Sequence, residues 1–153
     1  MMIVLLPNHK YDTAKNILAL QQQSYYTEAV LIDNFDIPAL NESVESIRSS
    51  KETFIGYFVE GVLRAFIAYE YQKKKLQITR LVVHPDFFRR GFASYLLKYL
   101  LNHHLDTLIY VCTSEKNQPA IDLYHSFGFV ISRTFSLSDG HPMVVLERHS
   151  SYT

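Results

Sequence analysis

The chain has 153 residues, of which 48% are hydrophobic, and this length and composition suit one domain with a substantial core. Its 15 basic residues balance its 15 acidic ones, and no apolar run is long enough to cross a bilayer, so we expect neither a nucleic acid nor a membrane as partner. The single cysteine, Cys112, cannot form an internal disulfide and fits a reducing cytoplasm.

The first forty residues predict a strand followed by one helix. Met2 to Leu6 is an apolar run that a proline ends, as expected for a strand near the edge of a sheet. From Lys10 to Gln23 the apolar residues recur at helical spacing. Tyr25 to Leu40 is rich in aromatic residues and is broken by Asn34 and Pro38, so we expect this segment to be irregular.

The next stretch predicts a short helix and a β-hairpin. Asn41 is a residue type that often caps a helix N-terminus, and we expect it to cap a short helix here. Two β-rich runs follow, Thr53 to Val59 and Val62 to Gln72, and the Glu60-Gly61 pair between them is typical of a hairpin turn. A charged turn, Lys73 to Lys75, then leads into the next strand.

The stretch from Leu76 to Leu101 predicts a strand, a short loop and a helix. Leu76 to Val83 is rich in apolar and β-branched residues, and Pro85 ends that strand. From Phe92 onward, apolar residues recur every four positions, which is the pattern of a helix face. Two arginines and a glycine lie in the loop between them.

A loop of this composition suits a phosphate group. The first amides of a helix have no partners inside it and lie at the positive end of the macrodipole. A glycine lets a ligand oxygen approach the backbone, and the arginines add positive charge. The loop is not a Walker loop, since no Gly-Lys-Ser/Thr follows, and it has too few glycines for a dinucleotide fingerprint. On these residues alone, an ordinary strand-to-helix turn with exposed arginines remains open.

The last third of the chain predicts a strand, a helix and a hairpin. Leu108 to Thr113 is an apolar strand reached through a helix, so we expect it to lie parallel to its neighbour. Pro119 to Phe127 is helical, and Gly128 ends that helix. Val130 to Leu137 and Met143 to Arg148 then close as a hairpin. We expect residues 1–149 to form a single domain and residues 150–153 to be a short C-terminal tail.

Two motifs taken together resemble the GCN5-related N-acetyltransferase (GNAT) family. The first joins Val83-x-Pro85 to the Arg-Arg-Gly-Phe-Ala segment that starts at Arg89, and the second runs from Asn117 to Phe129. Members of this family bind acetyl-CoA and transfer its acetyl group to an amine. The resemblance implies an α/β fold with a mixed β-sheet that is splayed between strands 4 and 5 and flanked by helices. The order of elements along this chain fits that architecture.

The resemblance also implies which residues hold acetyl-CoA, the cosubstrate. In the family, the strand before the glycine loop carries a bulge whose free backbone groups pair with the pantetheine arm, and Leu81, Val82 and Val83 match that segment. The loop and first helical turn match the pyrophosphate site, with Arg89, Arg90, Gly91, Phe92, Ala93 and Ser94 as candidates. Phe88 departs from the family pattern, which has Gln or Arg there, so one phosphate contact is missing or supplied differently. Asn117 matches an amide that holds the pantetheine arm, although an asparagine there also suits a helix N-cap.

Tyr124 is the catalytic residue that the resemblance implies. CoA departs as a thiolate with an intrinsic pKa of about 8.5, like that of cysteine, and a phenol with a pKa of about 10 can protonate it. The chain has 11 tyrosines, and the usual role of a tyrosine on a helix is packing. Tyr124 is distinguished by its place after Asn117 and directly before His-Ser-Phe-Gly-Phe.

The general base and the acceptor site are less well defined. The usual glutamate positions of the family hold Thr79 and Cys112, so Glu70, His84 or a chain of water molecules remain as alternatives. In the acceptor region, Tyr25, Tyr26, Asp33 and Asp36 would provide an aromatic wall with carboxylates, which suits a cationic amine. A tyrosine-rich segment that simply packs over the sheet is the alternative. We expect no metal site, because the two adjacent histidines, His103 and His104, have the wrong spacing for one metal-binding face.

The sequence therefore predicts an N-acetyltransferase that moves an acetyl group from acetyl-CoA to a primary amine of a small molecule or peptide by direct transfer. Tyr124 would be its general acid. Two alternatives remain: a transferase for protein or peptide N-terminal amines, and an acyl-CoA-binding regulatory domain without turnover. The absent glutamates and Phe88 favour the second of these. The acceptor, the acyl-chain length and the number of subunits stay open, a homodimer included.

Overall fold

The structure is a computed structural model that describes residues 2–32 and 41–149 of the chain. In chain order the elements are β1 (Met2–Leu6), α1 (Tyr11–Ile32), α2 (Val44–Ser49), β2 (Thr53–Val59), β3 (Val62–Gln72), β4 (Lys75–Val83), a 3₁₀ turn (Pro85–Phe87), α3 (Phe92–Asn102), β5 (Leu108–Ser114), α4 (Gln118–Ser126), β6 (Val130–Ser136) and β7 (Pro142–Arg148). The strands form one mixed sheet in the order β1-β2-β3-β4-β5-β7-β6. This architecture confirms the predicted fold class.

The strands β4 and β5 separate partway along their length. They pair in parallel from Lys75 opposite Leu108 to Ile78 opposite Val111. β4 then runs on to Val83 and β5 to its own end, but the pairing between them goes no further. The two strands are parallel because a helix, α3, connects them. The sheet is therefore splayed between strands 4 and 5, as the resemblance implied.

The central strands of the sheet carry apolar side chains on both faces, and a layer of helices packs against each face. On one face α1 and α2 pack over Phe54, Phe66 and Val82. On the other face α3 and α4 pack over Ile67 and Leu76, among other core residues. No helix within the described ranges has the length and hydropathy needed to span a bilayer.

α1 is longer than the sequence pattern indicated. It continues to Ile32, so the prediction that Tyr25 to Leu40 is irregular was wrong for its first eight residues. The buried stripe of the helix passes through Gln21 and Ser24, which are polar and therefore invisible to an apolar periodicity. Residues 33–40 lie outside the described part of the chain.

The predicted cap of α2 was also wrong by two positions. Ser43, not Asn41, is the N-cap, and its Oγ accepts a hydrogen bond from the Ser46 amide at 3.1 Å. A serine hydroxyl at this position satisfies one of the unpaired amides of the first turn.

The β2–β3 hairpin agrees with the prediction at both of its strand boundaries. Glu60 and Gly61 have φ values of 52° and 79°, and two consecutive positive φ angles match the right-handed twist of the flanking strands. Lys73 and Lys74 make the same kind of turn between β3 and β4, with φ values of 52° and 71°.

Candidate active site

β4 contains an extra residue at the point where it leaves β5. Thr79 has no opposite residue in β3, because Ile78 and Arg80 oppose consecutive residues of that strand. In a regular strand, the side chains of Thr79 and Arg80 would point to opposite faces of the sheet. Here both side chains donate hydrogen bonds to the same carboxylate, that of Glu52. The bulge therefore turns two consecutive polar side chains toward the face covered by α1 and α2.

Arg80 joins the bulge to three other segments of the chain. Its Nε and Nη2 donate to Glu52 at 2.9 and 2.7 Å, and its Nη1 and Nη2 donate to Glu42 at 2.6 and 3.0 Å. Arg80 Nη1 also donates to Gln21 Oε1 at 2.7 Å, and Gln21 Nε2 donates to Glu42 at 2.8 Å. Hydrogen bonds between a guanidinium and a carboxylate in this bidentate geometry are stronger than those between neutral groups. They tie β4 to α1, to the start of α2 and to the α2–β2 connection.

The same bonds set the charge state of the network. Burial by itself raises the pKa of Glu52 and of Glu42, but hydrogen bonds from Arg80 and neighbouring side chains leave both pKa values below the ordinary one. Burial lowers the pKa of Arg80, but its bonds to the two carboxylates raise that pKa above its usual range. All three groups are therefore charged at neutral pH. Carboxylates held in this way are poorly suited to accept a proton.

The network forms one wall of an open cleft of about 590 Å³. The cleft is lined by Tyr25, Asn41, Glu42, Ser43, Ser46, Glu52, Glu70, Thr79 and Arg80. It opens on the α1–α2 face at the level of the bulge, where β4 leaves β5. Among the described residues of the lining, three carboxylates and one guanidinium give a net negative charge, which attracts a cation.

After the bulge, the segment from Leu81 to Val83 is paired on one side only. It pairs with β3, while its other edge faces the gap toward β5, where the described strands offer no further partner. The backbone groups on that edge are placed to pair with an extended ligand, as an added strand would. The resemblance matched the bulged segment to Leu81, Val82 and Val83; β4 does contain a bulge, but its extra residue is Thr79, two positions before Leu81.

The loop before α3 has the backbone geometry of an anion site. Arg89 and Gly91 both have positive φ, at 64° and 82°. Gly91 is the N-cap of α3, and the helical bonding begins with the amide of Tyr95, which donates to Gly91 O at 2.9 Å. The amides of Phe92 to Ser94 therefore have no acceptor inside the helix. A Cβ on Gly91 would meet nothing within 4 Å, so the space above the loop is open.

The predicted pair of arginines lies at this helix start, and the structure adds a third arginine nearby. Arg89 and Arg90 are both exposed. Arg90 stacks over the ring of Phe87 with its Cζ 5.0 Å from the centroid, and Arg64 of β3 lies over the same ring at 4.8 Å. The ring of Phe87 also stacks on Phe92 at 5.5 Å. The ring of Phe87 therefore holds two cations near the N-terminus of α3.

Asn117 and Tyr124 both belong to α4, which directly follows β5. Asn117 is the N-cap, with its Oδ1 accepting from the Ala120 amide at 3.3 Å, so the capping alternative is realised. Its side-chain amide nitrogen is not part of that cap. Tyr124 is only 4% exposed, and its ring lies 5.3 Å from that of Phe129. The two residues thus stand on the β5 side of the gap.

Of the four residues predicted for the acceptor site, the two that the structure describes, Tyr25 and Tyr26, line different clefts. Tyr25 is half-buried and lines the cleft beside Arg80. Tyr26 is exposed and instead lines a second open cleft of about 690 Å³, next to the loop after β4. Consecutive residues of a helix point about 100° apart, which explains the separation. Asp33 and Asp36 lie outside the described residues.

The candidate bases are also separated by the fold. Glu70 lines the same cleft as Thr79. His84 lies at the second cleft, where its Nδ1 accepts from the Asp86 amide at 3.1 Å and caps the 3₁₀ turn. Cys112 is half-buried, and burial raises the pKa of its thiol. Glu70 is therefore better placed than His84 to meet a ligand in the cleft beside the bulge.

The Arg80 network had only a weak signal in the sequence. Arg80 interrupts a strand that is otherwise largely apolar, and such an interruption can mark a buried partner. Its partners Glu52 and Glu42 are 28 and 38 residues away, at positions that follow no spacing pattern. Only the folded chain identifies them.

Comparison with known proteins connects this geometry to a family. The model of the acetyltransferase (GNAT) family matches residues 14–129. A curated relative, the UPF0157 protein YqkA of Bacillus subtilis (strain 168), is 41% identical over 140 residues, which make up 91% of this chain and 41% of YqkA. The chain therefore spans less than half the length of that relative.

Solved structures share the fold at low sequence identity. The ribosomal-protein-S18-alanine N-acetyltransferase from Escherichia coli superposes with a TM-score of 0.74 and 17% identity, covering 95% of this chain and 91% of that one. The PaiA N-acetyltransferase from Thermoplasma acidophilum, solved in complex with coenzyme A, also has a TM-score of 0.74, with 13% identity over 97% of this chain and 99% of that one. At such identities the likeness shows the fold.

Proposed function

Because the chain belongs to the acetyltransferase (GNAT) family, we propose that it transfers an acetyl group from acetyl-CoA to a primary amine of a small molecule or peptide. The observation that carries this proposal is the gap between β4 and β5. One side of the gap presents the unpaired edge of Leu81 to Val83, and α4 with Tyr124 follows the strand on the other side. The acidic cleft is lined by Thr79 and Arg80, the two residues at which β4 leaves β5, and it is the proposed site of the amine.

The residues around the gap fit the chemical groups of CoA. The free amides of Phe92 to Ser94, with Arg89 and Arg90 nearby, suit the diphosphate. The unpaired edge of β4 suits the amide-containing pantetheine arm. Asn117, at the start of the helix that follows β5, is the proposed side-chain contact to that arm. Acetyl-CoA would supply the activated thioester carbonyl, and the protein would supply position and proton transfer.

Tyr124 is the proposed general acid. Direct transfer forms an N–C bond and breaks the C–S bond, so the sulfur leaves with an electron pair and needs a proton. Tyr124 belongs to α4, the helix that follows β5 on one side of the gap, and this position supports its proposed role.

Glu70 is the proposed acceptor of the amine proton. An ammonium ion cannot attack a thioester, so one proton must leave before the N–C bond forms. Glu42 and Glu52 are held by Arg80. Among the described residues that line the cleft, Glu70 is the carboxylate outside that network.

Thiol release in the presence of acetyl-CoA and a panel of amines tests this function. The panel should include diamines, amino sugars and peptides with free N-termini, and release should depend on one of them. Tyr124→Phe should lower kcat by about 100-fold, the low end for loss of a general acid, while affinity for acetyl-CoA changes less than twofold. Tyr11→Phe, at the exposed start of α1, is the matched control and should leave both values unchanged.

The alternatives give different outcomes in the same assay. Release only with peptide N-termini would indicate an N-terminal acetyltransferase, whose bulky acceptor the open cleft could admit. Tight CoA binding with no release on any amine would refute the transferase proposal. It would favour a regulatory acyl-CoA-binding domain, for which Phe88 and the absent glutamates at Thr79 and Cys112 argue.

A further inference from the structure

We infer that Arg80, Glu42 and Glu52 form a clamp that fixes the bulge of β4 and thereby positions the strand edge that receives the acyl donor. We call these three residues the Arg80 clamp. The inference rests on the proposed function, since it assigns the clamp to the pantetheine part of that site. Arg80 is, in these terms, a positioning residue that acts through the backbone of Leu81 to Val83.

The bulge is the part of β4 that most needs an external support. Pairing with β5 ends at Ile78, so Arg80 to Val83 are held by β3 on one side only. Thr79 is moreover the residue that has no opposite residue in β3. A bulge bends its strand and increases its local twist, so its exact geometry decides where the following backbone groups point. The unpaired edge of Leu81 begins one residue after Arg80.

Glu52 holds both side chains of the bulge. The Thr79 hydroxyl and two nitrogens of Arg80 donate to its carboxylate. Glu52 is itself fixed, because Ser50 Oγ donates to its Oε1 at 2.7 Å. Thr79 and Arg80 can reach one carboxylate only while the bulge keeps them on the same face. The clamp and the bulge are therefore mutually dependent.

The clamp also joins the two halves of the proposed site. Glu42 and Glu52 line the acidic cleft, whereas the strand that Arg80 belongs to faces the gap. One guanidinium, 12% exposed, thus connects the wall of the cleft to the edge of the gap. Only a planar fork with five donors can bond two carboxylates in this way, so a lysine at this position should not replace the arginine.

Two ligands separate a positioning role from a general structural one. CoA spans the diphosphate site and the pantetheine edge. Adenosine 3′-phosphate 5′-diphosphate is the nucleotide end of CoA and lacks the pantetheine arm. If the clamp positions the strand edge, its loss should weaken CoA binding selectively. If it only stabilises the fold, its loss should affect both ligands alike.

The experiment is calorimetric titration of the full chain with each ligand, at a temperature well below the unfolding midpoint of every variant. Arg80→Met should weaken CoA binding at least tenfold and nucleotide binding less than twofold, and Arg80→Lys should weaken CoA binding at least fivefold. The control is Arg48→Met, which removes an arginine paired with Glu45 on the exposed surface of α2 and should change neither affinity.

Thr79→Val keeps the inference testable if Arg80→Met does not fold. It removes the hydroxyl group that donates a hydrogen bond to Glu52, keeps the side-chain volume and leaves Arg80 in place. We expect this variant to bind CoA about threefold more weakly and the nucleotide with unchanged affinity. Equal losses of affinity for the two ligands, or unchanged CoA affinity in both Thr79→Val and Arg80→Lys, would overturn this inference and leave the proposed function standing. Failure of the wild-type protein to bind CoA would overturn the proposed function, and the inference with it.

Discussion

Removal of the Glu52 carboxylate tests the energetics of the Arg80 clamp. Glu52 accepts hydrogen bonds from Arg80, Thr79 and Ser50, and its side chain is 12% exposed. Breaking a buried ion pair by removing one partner costs about 3–5 kcal/mol, because the other charge stays buried. In Glu52→Ala, Arg80 keeps its bonds to Glu42. We therefore expect Glu52→Ala to lower the free energy of unfolding by about 3 kcal/mol, the low end of that range.

Thermal and urea unfolding at pH 7 measure this loss. For a chain of this length each kcal/mol lowers the melting temperature by about 2–4 °C, so Glu52→Ala should melt about 6–12 °C below the wild type. Glu45→Ala is the control, since Glu45 is 73% exposed and pairs with Arg48 at the surface. That variant should lie within about 0.5 kcal/mol of the wild type.

The loss should also depend on pH in a defined direction. The folded protein lowers the pKa of Glu52 below its ordinary value, which is about 4.3 in an unfolded chain. The stabilisation is then complete above the unfolded pKa and disappears as the pH falls through the lower, folded pKa. The difference between wild type and Glu52→Ala should therefore shrink on acidification from pH 7 toward pH 3. A difference that stays constant over that range, or one no larger than that of Glu45→Ala, would refute this account of the clamp.

Two other substitutions probe the core and the chemistry. A Cβ on Gly56 would lie 2.8 Å from methyl carbons of Leu6 and Leu63. Gly56→Val should therefore lower the free energy of unfolding, measured by urea denaturation, by about 1–3 kcal/mol. An unchanged urea midpoint would show that the surrounding side chains can move aside without cost. Glu70→Gln should lower kcat at least tenfold at pH 7, with a deficit that narrows toward pH 10 because an amine with a pKa of about 10 then arrives neutral. Glu45→Gln is its control, and equal pH profiles for the two variants would remove Glu70 from the mechanism.

Much of the fold was determined by signals within a few residues of one another. The Glu60-Gly61 pair specified a hairpin whose strands have the predicted bounds, because the turn requires positive φ at both positions. Gly91 and Asn117 marked the starts of α3 and α4, because the first amides of a helix have no acceptor inside it and the residues just before it decide how the helix begins. Where the local signal was polar, as at Ser24 in the buried stripe of α1, the prediction stopped the helix too early.

Only the tertiary structure decided how the candidate site is assembled. A bulge is an offset between two strands, so Thr79 could be recognised as the extra residue only once β4 was paired with β3. The clamp joins Arg80 to residues 28 and 38 positions away, and Gln21, which also accepts a hydrogen bond from Arg80, is 59 positions away. Nothing in the local sequence ties these residues together. The family resemblance implied the separation of β4 from β5, but only the folded sheet shows that their pairing ends at Ile78. The sequence thus determined the family and the starts of α3 and α4, whereas the cleft and the clamp required long-range contacts that only folding creates.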